Sequence, residues 1–114
     1  MLDQGKLAHT VQRLVGHLVR GDYAAAEGLT AGRRLSSGEI AQAIAQYGRQ
    51  LVSPPTDSGP RSVVELEGAN PERWSVYVDL WTLEEGRSDL TLELTITDSS
   101  RDIYDIQIDN IHVL

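Results

Sequence analysis

The sequence predicts an α+β domain in which three N-terminal helices pack on one face of a four-stranded antiparallel meander. Three observations lead there. Apolar residues recur on a helical period up to about residue 51, they alternate on a period of two from about residue 62, and a proline-rich break separates the two regimes. Helices gathered ahead of strands give a two-layer fold with the helices on the sheet's apolar face. At 114 residues, 40% hydrophobic and 24% charged, the chain is the size of one globular domain, 1–114.

Leu7, Val11, Leu14 and Leu18 stand at i, i+4, i+7 and i+11, one apolar stripe along a first helix. Asp3 suits its N-cap, and Gly21 after Arg20 suits its end, with a cation near the negative helix terminus. Asp22 caps a short second helix through Tyr23, Ala26 and Leu29, ending at Gly32. Ser36 and Glu39 form a capping box for the third, with Leu35 and Ile40 at the staple positions. Ile40, Ile44, Tyr47 and Leu51 make its buried stripe, so the helical half runs over about 4–51. Three prolines and a glycine within Val52–Pro60 then exclude both helix and central strand, and an irregular loop over 52–61 is expected.

The strand half covers about 62–114. Ser62–Glu67 is short, with Val64 and Leu66 on one side. In Arg73–Leu83, Trp74, Val76, Val78 and Leu80 alternate with Ser75, Tyr77, Asp79 and Trp81. Leu90, Leu92, Leu94 and Ile96 form the next apolar row, and Tyr104, Ile106 and Ile108 the last. The alternation slips before Ile111 and Val113, which predicts a bulge near Asn110. Connections at 68–72, 84–87 and 98–101 are all hairpin length.

The element order, with a Gly-Asp-Tyr turn at Gly21–Tyr23, resembles the nuclear-transport-factor-2-like (cystatin-like) superfamily. The stretch Trp81–Leu94 and the ending Asp109–Leu114 also look like a group of small uncharacterised bacterial proteins. The superfamily resemblance implies a curved sheet and a pocket between helices and sheet, where relatives bind small molecules and some isomerise them with a carboxylate base.

Charge and motifs narrow the function. The net charge of −7 is unevenly placed: residues 1–60 hold six basic and five acidic residues, residues 61–114 four and twelve, giving +1 and −8. Nucleic-acid binding is therefore not expected, since it relies on cations that neutralise phosphates. No apolar run reaches the roughly 20 residues of a membrane span. The mixed polar segment Met1–Thr10, with Asp3, is unlike a secretory leader, and a cytoplasmic protein is expected. With no cysteine, thiolate metal sites and cysteine nucleophiles are excluded. His9 and His17 fall about 80° apart around the first helix and His112 lies in the last strand, so no metal or other cofactor is expected. The glycines follow no phosphate-cradle pattern, and the serines sit at caps and turns without a nucleophile elbow, so no catalytic residue is assigned.

The outer strand face carries the candidate site. Tyr77, Asp79, Trp81, Glu93, Asp105 and Asp109 project from it, an acidic surface bearing two aromatics. Such a face suits a non-catalytic interaction domain, immunity- or inhibitor-like, that binds another protein of basic character. It equally suits the solvated side of a half-exposed sheet. A homodimer through this face stays open but would press acids together. The alternative is a small-molecule-binding or isomerase-like domain with a helix–sheet pocket and Tyr47 or Tyr104 as polar contact. The inner positions carry no ionisable base, which is the pattern of a filled core. A third reading places function in the Val52–Pro60 loop, which is long enough to cover a pocket.

Overall fold

The computed structural model describes residues 1–113. Three helices, α1 (Gln4–Val19), α2 (Tyr23–Leu29) and α3 (Ser37–Tyr47), precede five strands, β1 (Leu51–Val52), β2 (Ser62–Glu65), β3 (Arg73–Thr82), β4 (Gly86–Thr97) and β5 (Asp105–Val113). The predicted α+β architecture is the one observed.

The helix signals act as local chemistry requires. The Asp3 carboxylate accepts the Lys6 N–H at 3.0 Å, and Asp22 accepts the Ala25 N–H at 3.1 Å. Ser36 and Glu39 close their capping box reciprocally, at 3.2 and 3.0 Å. Each such cap is worth about 1 kcal/mol, because it pairs a backbone donor that the helix cannot. Leu7, Leu14 and Leu18 are buried as the stripe predicts, with Val15 beside them, while Val11 is half-buried.

Leu51 departs from the expected third stripe. Gly48 takes the left-handed conformation, φ +75°, and ends α3 at Tyr47. Leu51 then reaches the same core from a two-residue strand, pairing with Thr82 while Val52 pairs with Trp81. β2 also stops sooner than expected, at Glu65, and turns Val63 toward the core, leaving Val64 and Leu66 exposed.

The sheet is antiparallel in the order β1-β3-β4-β5, with β2 also paired to β3. β4 occupies one side of β3, so β1 and β2 lie end to end along the other. β2 covers Trp74–Tyr77 and β1 covers Trp81–Thr82, which leaves Val78–Leu80 with no strand neighbour on that edge. Two bulges curl the sheet. One sits at Asp109, where Glu93 pairs with Asn110 and Leu94 with Ile108, in agreement with the slip read from the sequence. The other lies between Asp79 and Trp81. Buried Ser88 repairs it, donating to the Leu80 carbonyl at 2.7 Å and accepting the Leu90 N–H at 3.1 Å.

Trp74, Val76, Leu80, Leu92, Leu94, Ile96, Ile106 and Ile108 form the inner face and meet Leu14, Leu18 and Ile40 in one core. Trp74 and Tyr104 rings meet at 5.3 Å. Thr10, fully buried on α1, accepts the Tyr104 N–H at 3.0 Å and locks the helix onto the sheet. Among the described residues no helix is long and apolar enough to cross a membrane.

Candidate functional site

All six sequence-selected residues fall on the outer face of the sheet. Pairing builds its rows: Tyr77 beside Glu93 and Asn110, Asp79 beside Thr91 and His112, and Trp81 beside Arg87. Asp105 pairs with Thr97 at one end, and Asp109 sits at the bulge.

The carboxylates of this face are internally partnered. Asp79, only 8% exposed, accepts Arg61 Nε and Nη2 at 2.9 Å each and the Thr91 hydroxyl at 3.1 Å. Glu93 accepts the Tyr77 hydroxyl at 2.8 Å and lies 2.5 Å from His112 Nε2. Asp109 accepts Thr95 at 2.7 Å and Gln107 at 2.6 Å, with Arg34 Nε 3.8 Å away. Asp105 is paired with Arg101. Strand register sets Thr91 opposite Asp79 and Tyr77 opposite Glu93, whereas Arg101 reaches Asp105 from four residues earlier in the chain. The hydrogen bond to Glu93 raises the Tyr77 pKa, since a phenolate there would face a carboxylate.

His112, which the sequence places in the last strand without a role, joins this face. Its Nε2 is sealed from solvent, with Glu93 as its neighbour. Only the bulge at Asp109 brings it opposite Thr91 and beside that carboxylate. Arg61 and Arg87 also escaped the sequence reading. No periodic or catalytic pattern marks them: Arg61, just before β2, reaches Asp79, and Arg87 of β4 stands opposite Trp81.

The tyrosines proposed as pocket contacts serve elsewhere. Tyr47 donates to Glu85 at 2.8 Å, and burial together with that bond raises its pKa. The Tyr104 hydroxyl accepts the Asp3 N–H at 2.9 Å, and Lys6 Nζ lies 4.6 Å from its ring centre. Neither lines a cleft described here. Among the described residues, no three His, Asp or Glu side chains are placed to hold a metal ion together.

The clefts gather around the proline-rich loop at the open edge of β3. Pro54, Pro55 and Pro60 have no backbone N–H to offer β3, and the loop braces itself instead. The Ser58 N–H and hydroxyl both donate to the Pro55 carbonyl, at 3.0 and 2.7 Å. On the helix side lies a cleft of about 430 Å³ walled by Leu7, Val11 and Val15 of α1, Pro54, Pro55 and Val78. On the outer face lies a second, of about 400 Å³, between Ser58–Pro60, Arg61, Asp79, Trp81 and Arg87. Asp79 borders both.

No curated protein and no solved structure matches the chain. Residues 15–114 match the model of a domain of unknown function, DUF7668. That match takes in the C-terminal end of α1 from Val15, with α2, α3 and every strand that borders the two clefts. The chain belongs to the DUF7668 family.

Proposed function

We propose that this chain is a non-catalytic protein-interaction domain that engages its partner along the β1/β2 edge of the sheet and the adjoining outer face. The observation that carries the reading is Trp81, a large aromatic left half-buried on the polar face beside an open cleft. Half-exposed aromatics of this kind supply the anchors of protein interfaces. Val64 and Leu66 are exposed toward the other end of the same edge, at 55% and 38%. The span of β3 between the Trp81 and Arg73 rows is about 27 Å, the breadth of an ordinary recognition surface. A basic partner is supported by Glu65 and Glu67, which are exposed beside Val64 and Leu66 and make no ion pair among the described residues. Asp79, Glu93 and Asp109, with their internal partners, act in this reading as the scaffold of the face. We also propose kinship with the nuclear-transport-factor-2-like superfamily, supported by the helix-first order and the long curled strands.

A second reading rests on the helix-side cleft. Its volume, about 430 Å³, falls in the range of small-molecule sites, and its walls are largely apolar. Its acidic groups, Asp79 held by Arg61 and exposed Asp57, favour binding over proton transfer.

The test is affinity capture from the source cells, with native mass spectrometry of what is captured, using Trp81→Ala and Val64→Glu. Both variants should keep the native circular dichroism spectrum and lose a defined heteromeric complex. Undiminished capture by both refutes the interface, and a small non-protein adduct on the unmodified protein moves the assignment to the helix-side cleft.

A further inference from the structure

The outer-face cleft has a charge opposite to that of its surroundings. Residues 61–114 contain four arginines against twelve acids, and two of the four, Arg61 and Arg87, line this cleft. Among the described residues only one carboxylate, Asp79, lines it with them. Of the other two arginines, Arg101 is committed to Asp105, and Arg73 sits exposed at the start of β3.

Arg61 is a fixed cation. Its Nε and Nη2 are held by Asp79, which raises its pKa further, while Nη1 makes no hydrogen bond among the described residues. Arg87 makes no side-chain hydrogen bond or ion pair among the described residues, yet it stands cross-strand from Trp81. The Trp81 ring rests against the Gly86 turn, where a Cβ would come within 3.8 Å of it. Asp89, outside the lining, is near enough to act on the Arg61 charge. The site thus offers guanidinium donors, which match a carboxylate's two oxygens, beside an aromatic plane. The acidic domain around it disfavours polyanions and leaves a single negative charge as the fitting complement.

We propose that this cleft binds a carboxylate carried next to a flat aromatic group, with Arg87 and Arg61 Nη1 taking the carboxylate and Trp81 the ring. Such a group occurs on a free aromatic acid and at a protein chain ending in an aromatic residue. In the second case the proposal deepens the interaction reading by specifying which part of the partner is held.

The experiment uses the whole chain, labelled with ¹⁵N, and follows the indole N–H signals of its two tryptophans. Trp74 is buried in the core and serves as the internal reference. Added 1-naphthoate should shift the Trp81 signal saturably and leave Trp74 in place, whereas neutral 1-naphthamide should bind at least about tenfold more weakly. Arg87→Gln should weaken naphthoate binding about tenfold, and Asp89→Asn should strengthen it about threefold by removing a like charge. A Gly-Gly-Trp peptide with a free C-terminus, compared with its C-terminal amide, distinguishes the sources. A free peptide tighter than both naphthoate and its amide assigns a chain end, and naphthoate tighter than the free peptide assigns a free acid. No saturable shift, an equal response to naphthamide, or an unaltered affinity in Arg87→Gln overturns the proposal. None of these readouts needs the partner protein, so they fail or succeed separately from the capture experiment.

Discussion

A buried hydroxyl ties the α1 wall of the helix-side cleft to the backbone just before β5, and Thr10→Val removes it with little change of shape. Thr10 Oγ1 donates to the Lys6 carbonyl at 2.6 Å and accepts the Tyr104 N–H at 3.0 Å, with Thr10 and Tyr104 at or below 1% exposure. Valine strands that N–H away from water, a cost of about 2 kcal/mol, offset in part by the extra buried methyl group. The net loss is about 1.5 kcal/mol. The unfolding entropy of a chain this size is about 0.24 kcal/mol/K, so the melting temperature should fall by about 6 °C. The assay is thermal and urea unfolding with an unchanged m-value, combined with amide exchange at Tyr104. Thr10→Ser serves as the control, because it keeps the hydroxyl and so retains protection of the Tyr104 amide while losing only packing. A Thr10→Val protein that melts within about 1 °C of the parent, or keeps its Tyr104 amide protected, would refute the lock.

The other predictions test the sheet face and its supports. Gly48→Ala should destabilise the domain by about 1 kcal/mol, seen as a lower urea midpoint, because φ +75° strains any residue with a Cβ even where space is open. Tyr77 and Tyr47 should ionise later than free tyrosine in an absorbance titration at alkaline pH, and Tyr77→Phe should remove one of the two late steps. Because the folded-state Tyr77 pKa is raised, its bond to Glu93 stabilises fully below the ordinary tyrosine pKa and is lost as pH rises through the folded value. Stability lost on the acid side instead would contradict that linkage. Charge reversal should separate scaffold from surface: Glu93→Lys, next to Tyr77 and His112, should lower the melting temperature well beyond Asp105→Lys, whose partner is the exposed Arg101. Equal melting temperatures would mean that the Glu93 contacts carry no more stability than the exposed Asp105–Arg101 pair.

The binding reading and the fold rest on the same feature, the interrupted edge of β3. A continuous strand opposite Trp74–Thr82 would pair Val78–Leu80 and close the sheet where the clefts now lie. The prolines of Val52–Pro60 prevent this by removing ladder donors. The edge is consequently split between β1 and β2, with a self-braced loop between them. At the opposite edge, Arg33 donates to the Ile106 carbonyl at 3.0 Å and blunts β5 against strand pairing.

Most of the architecture was legible from the residues in order. Helical period, the caps at Asp3, Asp22 and Ser36, and the alternations in β3, β4 and β5 are local signals, spent over a few neighbouring positions. Even the bulge at Asp109 appears as a one-residue slip in the alternation. The same period of two assigned Tyr77, Asp79, Trp81, Glu93, Asp105 and Asp109 to one face, since successive side chains in a strand point to opposite sides. Tertiary structure decided what those side chains meet. β1 is two residues long and has no period to detect. Arg61 reaches Asp79 across 18 positions, and Thr10 reaches Tyr104 across 94. Which groups face each other across such separations depends on register and on how helices seat on the sheet. These follow from the packing of the whole core, so a run of residues read by itself could not show that the acidic face is internally paired, or that two arginines and a tryptophan share a cleft.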